Sequence, residues 1–189
     1  MGNDLRKQLE ELKDQVKKLK SDLQKAYTDP LSSLWNRIFF EKFKKKIQDS
    51  KNAVGIIHID ANKLKHINDN FGHEVGDKYL QDMGKIIKTS MIRKSDFAFR
   101  LGGDEFLMAL ALTGKNPEKG LNTVLNRIES NLNVLNQKRI ENDEVELSFA
   151  KGSAIKKQDD NLSETIQKAE KLMYEHKKLQ KLKDPSLER

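Results

Sequence analysis

Apolar positions recur along this chain with two different periods, and the change of period divides it. Over residues 5–26, Leu5, Leu9, Leu12, Val16, Leu19, Leu23 and Ala26 follow alternating spacings of four and three, with Lys, Glu and Asp filling most other positions. This is a heptad seam of about three heptads, and it predicts a helix that packs on another helix. So polar a helix has little independent stability as a monomer. Two uses fit it: a parallel two-stranded coiled coil, or a helix folded back on its own domain. Tyr27-Thr28-Asp29-Pro30 ends the helix, because proline disfavours helical geometry in the residue before it.

Beyond the break, the pattern predicts a helix over residues 35–48 and a buried, β-branched strand over 52–60. A helical stretch then starts at Asn62, is interrupted at Gly72, and gives way to a longer helix reaching about Thr89. A hairpin is expected over residues 96–112, an amphipathic helix over 118–138, and a strand pair over 145–155 broken near Gly152. A last helix covers residues 162–182. Strands alternating with helices around one hairpin predict an α/β sandwich with a central mixed sheet flanked by helices. The expected division is a helical stalk at residues 1–27, a folded domain at 28–182 and a C-terminal tail at 183–189.

The length of 189 residues suits one domain plus an appendage. The absence of cysteine removes disulfide frameworks and thiolate zinc sites. No apolar run approaches the ~20 residues that span a bilayer, and the N-terminus is charged, unlike a signal peptide. The expectation is a cytoplasmic protein with no membrane span. A net charge of +7 invites a polyanion, but the lysines are interleaved with acids and lack an aromatic ladder. Nucleic acid is therefore not an expected partner.

Candidate chemistry concentrates in two places. The strand over residues 52–60 is mostly apolar and stops on Asp60, where the core opens to solvent. That charge needs a partner there: a metal ion, or the N-terminus of the helix beginning at Asn62. In the hairpin, Gly102-Gly103-Asp104-Glu105-Phe106 makes a turn carrying two acids between apolar runs. If strand and hairpin are neighbours, Asp60, Asp104 and Glu105 converge. Carboxylates without cysteine favour a hard, oxygen-liganded ion such as Mg²⁺ or Mn²⁺ over zinc.

Two segments, Asp60-Ala-Asn-Lys-Leu-Lys-His-Ile-Asn-Asp-Asn-Phe-Gly-His-Glu-Val-Gly-Asp77 and Phe99-Arg-Leu-Gly-Gly-Asp-Glu-Phe106, resemble the GGDEF domain of diguanylate cyclases. That family joins two GTP molecules into cyclic di-GMP. Asp29-Pro-Leu-Ser-Ser-Leu-Trp-Asn-Arg37 is similar to its DxLTGLxNR opening, and Ala169-Glu-Lys-Leu-Met-Tyr-Glu-His-Lys177 to its ADxALYxAK helix. The likeness covers residues 28–182 and implies a fold related to the palm of nucleotide polymerases and cyclases.

The resemblance also implies roles. Asp60 and Asp104 match metal ligands, aided by the Ala61 carbonyl, for two Mg²⁺ or Mn²⁺ ions in each half-site. Glu105 matches a further ligand or the acceptor of the 3′-hydroxyl proton, and Lys65 completes the catalytic set. Gly102 and Gly103 let the turn approach the phosphates, while Lys65, Lys177 and Lys181 match basic positions that meet the β- and γ-phosphates. Asn68 and Asp77 match the guanine readers, although spacing alone equally allows a helix C-cap and a solvated helix residue. Arg93 and Asp96 fit the RxxD site through which cyclic di-GMP inhibits; a surface Arg–Asp pair is the plainer reading. One domain holds one GTP, so the resemblance implies a homodimer, with the coiled coil as its tether. The basic balance then reads as a rim for triphosphate.

Departures from the family pattern are Ser32-Ser33 for Thr-Gly, Leu64 for Phe, Glu170 for Asp, His176 for Ala, and Gln180-Lys181 for Gly-Arg. Ser148-Phe-Ala-Lys-Gly152 is a stretched form of the SxG strand. No catalytic carboxylate is lost. The alternative function is a module that binds GTP or cyclic di-GMP as a receptor without turnover.

Overall fold

The computed structural model describes residues 2–184, with side chains from Arg6 onward. Met1, the Leu5 side chain of the seam and residues 185–189 of the expected tail lie outside the described residues. In chain order the elements are α1 (Gly2–Tyr27), β1 (Trp35–Asn36), α2 (Arg37–Gln48), β2 (Ala53–Ala61), α3 (Leu64–Phe71) and α4 (His73–Ser90). There follow β3 (Phe97–Gly102), β4 (Glu105–Leu112), α5 (Pro117–Glu141), β5 (Phe149–Lys156) and α6 (Leu162–Lys183).

The strands form one sheet in the order β1-β3-β4-β2-β5. β1 runs parallel to β3 and every other pairing is antiparallel, so the sheet is mixed as expected. β2 reads as a continuous apolar run because both its faces are covered. Ile57 and Ile59 pack with Tyr79 and Met83 of α4 and with Val124 and Ile128 of α5. Val54 and Ile56 pack with Phe40 and Ile47 of α2 and with Leu162 and Ala169 of α6. The pleat then assigns Asp60, two residues beyond His58, to the α2–α6 face.

Three expectations change. The helix expected at residue 35 begins at Arg37: Trp35 and Asn36 pair with Phe99 and Arg100 as a short parallel strand. The Asn36 side chain then caps α2 by accepting from the Phe39 amide at 3.0 Å. The stretch expected to be helical from Asn62 first turns through Lys63 (φ 61°), so α3 starts at Leu64. Residues 145–155 hold one strand rather than two, and it passes straight through Gly152. A Cβ on Gly152 would lie 2.1 Å from the Ala169 carbonyl oxygen and the Met173 amide nitrogen. Glycine is needed there because the backbone of α6 lies on the strand. Upstream, the Asn136 side chain, bonded to the Leu147 amide and carbonyl at 2.8 Å each, replaces a strand partner.

α1 meets the domain at its C-terminal end. Asn36 Nδ2 donates to the Ala26 carbonyl at 2.8 Å, and the Tyr27 ring lies 5.5 Å from Phe39, itself stacked on Trp35 at 4.2 Å. Leu9, Leu12, Val16, Leu19 and Leu23 are 44–61% exposed, so the seam does not fold back on its own domain. Among the described residues, no helix is long and apolar enough to cross a membrane.

Candidate functional site

The antiparallel register of β2 and β4 sets Asp60 opposite Glu105, and the Ala61 amide donates to the Asp104 carbonyl at 2.9 Å. The end of β2 and the Gly-Gly-Asp-Glu turn are thereby locked together by backbone alone. The turn needs its glycines, with φ of 147° at Gly102 and 51° at Gly103, beside a register shift between Arg100 and Gly102. Arg100 holds its far side, donating from Nε and Nη2 to the Gly103 carbonyl at 3.0 and 2.7 Å. Its Nη1 reaches Asp29, which also accepts from the Ser32 amide and hydroxyl at 2.7 Å each.

Asp60, Glu105, Glu170, Tyr174, Lys177 and Lys181 line a cleft of about 540 Å³ between this sheet end and α6. The Lys177 ammonium sits on Asp60 Oδ1. Burial raises the Asp60 carboxyl above its ordinary range; Lys177 opposes that rise and nearby Asp104 adds to it. Below Asp60 on the same face, His58 is buried with Nδ1 unpartnered. Burial lowers its pKa, against the pull of Glu105, Glu170 and Asp60. Among the described residues no group of three or more His, Asp or Glu side chains is arranged to enclose a metal. The donor set still fits Mg²⁺, which takes one or two carboxylates and completes its shell with phosphates and water. The buried Asp60, with Asp104 nearby, could supply those oxygens.

Other expected residues lie apart from this cleft. Asn68 is inside α3 rather than at its end, which Gly72 caps. Its Oδ1 lies against α4, 1.9 Å from where a Cβ on Gly76 would stand, next to the exposed Asp77. Lys65 is exposed on α3. Asp60 does not cap that helix, whose N-cap position is Lys63.

A supporting network had no signal in residue spacing. The Tyr79 hydroxyl faces the carbonyls of Asn62 (3.0 Å) and Ser148 (2.8 Å) and accepts from the Ser148 amide (2.9 Å). Burial foremost pushes its pKa up to about 12. Asn62 Nδ2 donates to Ser148 Oγ at 2.8 Å and to Gln180 Oε1 at 3.1 Å. Gln180, which departs from the family's glycine, thus joins α6 to the turn behind Asp60, and its Nε2 also reaches the Phe149 carbonyl at 3.0 Å.

Arg93 and Asp96 sit at the other end of β3 and do not form an ion pair with each other. Asp96 is buried and its carboxylate accepts from the amides of Ile92, Arg93 and Ala111 at 3.0, 2.8 and 3.0 Å. Arg93 Nη1 is buried without a hydrogen-bond partner.

The sequence matches the family model "Diguanylate cyclase, GGDEF domain" over residues 26–183. It is 33% identical over 159 residues to the probable diguanylate cyclase DgcJ of Escherichia coli K12, covering 79% of this chain and 29% of that protein. It is 34% identical over 119 residues to the diguanylate cyclase TpbB of Pseudomonas aeruginosa, covering 59% and 27%. The chain thus spans less than a third of the length of either relative. The fold is similar to the coiled coil and GGDEF domain of DgcB from Caulobacter crescentus, solved in complex with c-di-GMP. The TM-score is 0.73 at 22% identity, covering 92% of this chain and 94% of that one. With the signature turn, the acid-tipped strand β2 and the last helix all inside the matched span, the chain belongs to the GGDEF domain family.

Proposed function

We propose that this domain joins two GTP molecules into cyclic di-GMP, working as a symmetric pair of domains that each hold one GTP. The observation that carries the reading is the cleft itself: Asp60 opposite Glu105 on one wall, Lys177 and Lys181 on the other. A metal-bound triphosphate needs both kinds of wall.

In each of two steps a 3′-hydroxyl attacks the α-phosphorus of the facing GTP. A phosphodiester bond forms, the bond to pyrophosphate breaks, and the hydroxyl proton passes to a base, the role assigned here to Glu105. Positioning and charge stabilisation carry most of the barrier reduction. Asp60, Asp104, Glu105 and the Ala61 carbonyl would hold Mg²⁺ or Mn²⁺, two per half-site, whose charge activates the attacking hydroxyl and neutralises the triphosphate. Lys65, Lys177 and Lys181 serve the β- and γ-phosphates. Asn68 and Asp77 read guanine, since adenine would leave the Asp77 acceptor unpaired.

Two finer features belong to the same reading. The exposed seam of α1 supports a homodimer through a coiled coil, which raises the effective concentration of the facing domain. The unpartnered Arg93 Nη1 supports an inhibitory cyclic di-GMP site, with Asp96 holding the loop in shape. GTP as substrate implies work in the cytoplasm.

The test is incubation with GTP and Mg²⁺, following pyrophosphate and cyclic dinucleotide by chromatography, with Asp104→Ala alongside. Cyclic di-GMP from the wild type alone supports the enzyme. Bound GTP without turnover overturns it in favour of a receptor.

A further inference from the structure

The contact between Lys177 and Asp60 has no role in the chemistry above. Its partners are sheltered, with the Lys177 side chain 28% exposed and that of Asp60 12% exposed. Asp60 also has a neighbour of its own sign in Asp104. A largely buried carboxylate beside another carboxylate is costly unless a cation answers it. Here the cation comes from within the chain. The ammonium ends a flexible four-carbon stem, so it can leave without movement of α6. Lys181, one helical turn further along, lines the same cleft and is a second cation available to an arriving phosphate.

We propose that Lys177 is an internal stand-in for the divalent ion. It neutralises Asp60 while no metal is bound, keeps free metal ions off that carboxylate, and moves to the triphosphate when metal and nucleotide arrive together. This rests on reading the cleft as a metal–nucleotide site. The consequence is coupling: metal alone binds weakly, and nucleotide strengthens metal binding because it takes the lysine away.

The test is titration of Mn²⁺ alone, with the free ion followed by electron paramagnetic resonance. The proteins compared are the wild type, Lys177→Met, Lys177→Arg and Lys181→Met. Lys177→Met is expected to bind Mn²⁺ about fivefold more tightly than the wild type, the equivalent of ~1 kcal/mol for a partly exposed ion pair. Adding Asp60→Asn should remove that gain. Lys177→Arg keeps the cation and Lys181→Met removes charge without touching Asp60, so both should match the wild type. An equal gain in Lys181→Met would reduce the effect to general charge and overturn the proposal. Unchanged affinity in Lys177→Met also overturns it; if a non-hydrolysable GTP analogue still recruits Mn²⁺, the metal–nucleotide reading survives. Failure of every protein to take up Mn²⁺, with or without the analogue, overturns both.

Discussion

Arg100 and Asp29 face each other across 3.2 Å, and the same guanidinium holds the carbonyl of Gly103 in the signature turn. The segment that follows the stalk is therefore tied to the acid turn by one side chain. Lysine lacks the fork that serves both partners. Arg100→Lys is expected to lower stability by about 1–2 kcal/mol in urea unfolding, and to reduce product formation more than GTP binding.

The pH dependence of that tie has a definite sign. Burial alone would raise the Asp29 carboxyl, but the Ser32 amide and hydroxyl, with Arg100, hold it below the ordinary range. As pH falls the unfolded chain takes up the proton first, so the stabilisation is complete above the ordinary carboxylate pKa and lost through the lower folded one. The stability gap between wild type and Asp29→Asn should stay constant above about pH 5 and shrink below about pH 4. A gap that widens in acid would contradict this.

Tyr79→Phe removes one oxygen and takes the hydroxyl from the Asn62 carbonyl and the Ser148 amide, while the Ser148 carbonyl keeps the Asn62 amide at 2.8 Å. A loss of about 1–3 kcal/mol is expected. Because this junction lies directly behind Asp60, affinity for Mg²⁺–GTP should fall as well. Calorimetry showing unchanged nucleotide affinity would confine the network to folding.

Ser33 stands where the family pattern has glycine, and its φ is 57°, in the left-handed region. A side chain there costs more than glycine loses in chain entropy. Ser33→Gly should raise stability by about 0.5–1 kcal/mol, read as a higher urea midpoint with an unchanged slope.

Gly76→Ala pushes a methyl into the space of Asn68 Oδ1, 1.9 Å away. The amide can rotate aside, and alanine favours the helix, so folding stability should hold or rise. GTP affinity should drop about tenfold if Asn68 reads guanine, the value of one lost base contact. Unaltered affinity would remove Asn68 from recognition.

Charge placed in the seam tests the stalk. Leu12→Lys with Leu19→Lys is expected to abolish dimers in sedimentation and cyclic di-GMP formation together. Activity persisting in a proven monomer would sink the tether.

What could be read in advance was local. The β2 run ending on Asp60 and the glycine-acid turn are each legible because a strand that ends on a charge and a turn that needs positive φ leave marks in neighbouring residues. Gly152 is ambiguous in sequence: a glycine within a strand signals either a break or another backbone lying close, and only the position of α6 distinguishes them. Trp35 falls within the predicted helix because a two-residue strand has no period of its own. Tyr79, Ser148 and Gln180 carry no spacing signal because their partners are 17 to 118 residues away. The same holds for Lys177, whose place in a basic helix is plain but whose partner 117 residues earlier is not.

The missing side chain at Gly152 has a mechanical consequence. Backbone meets backbone there, so any side chain at this position would push α6 away from β5 and widen the gap between them. The sheet that carries Asp60 and Glu105 and the helix that carries Lys177 and Lys181 then act as the two jaws of a caliper, with an opening set by main-chain packing rather than by surface residues. Only the side-chain tips remain free to move, and a ligand is measured against a gap that surface drift leaves unchanged.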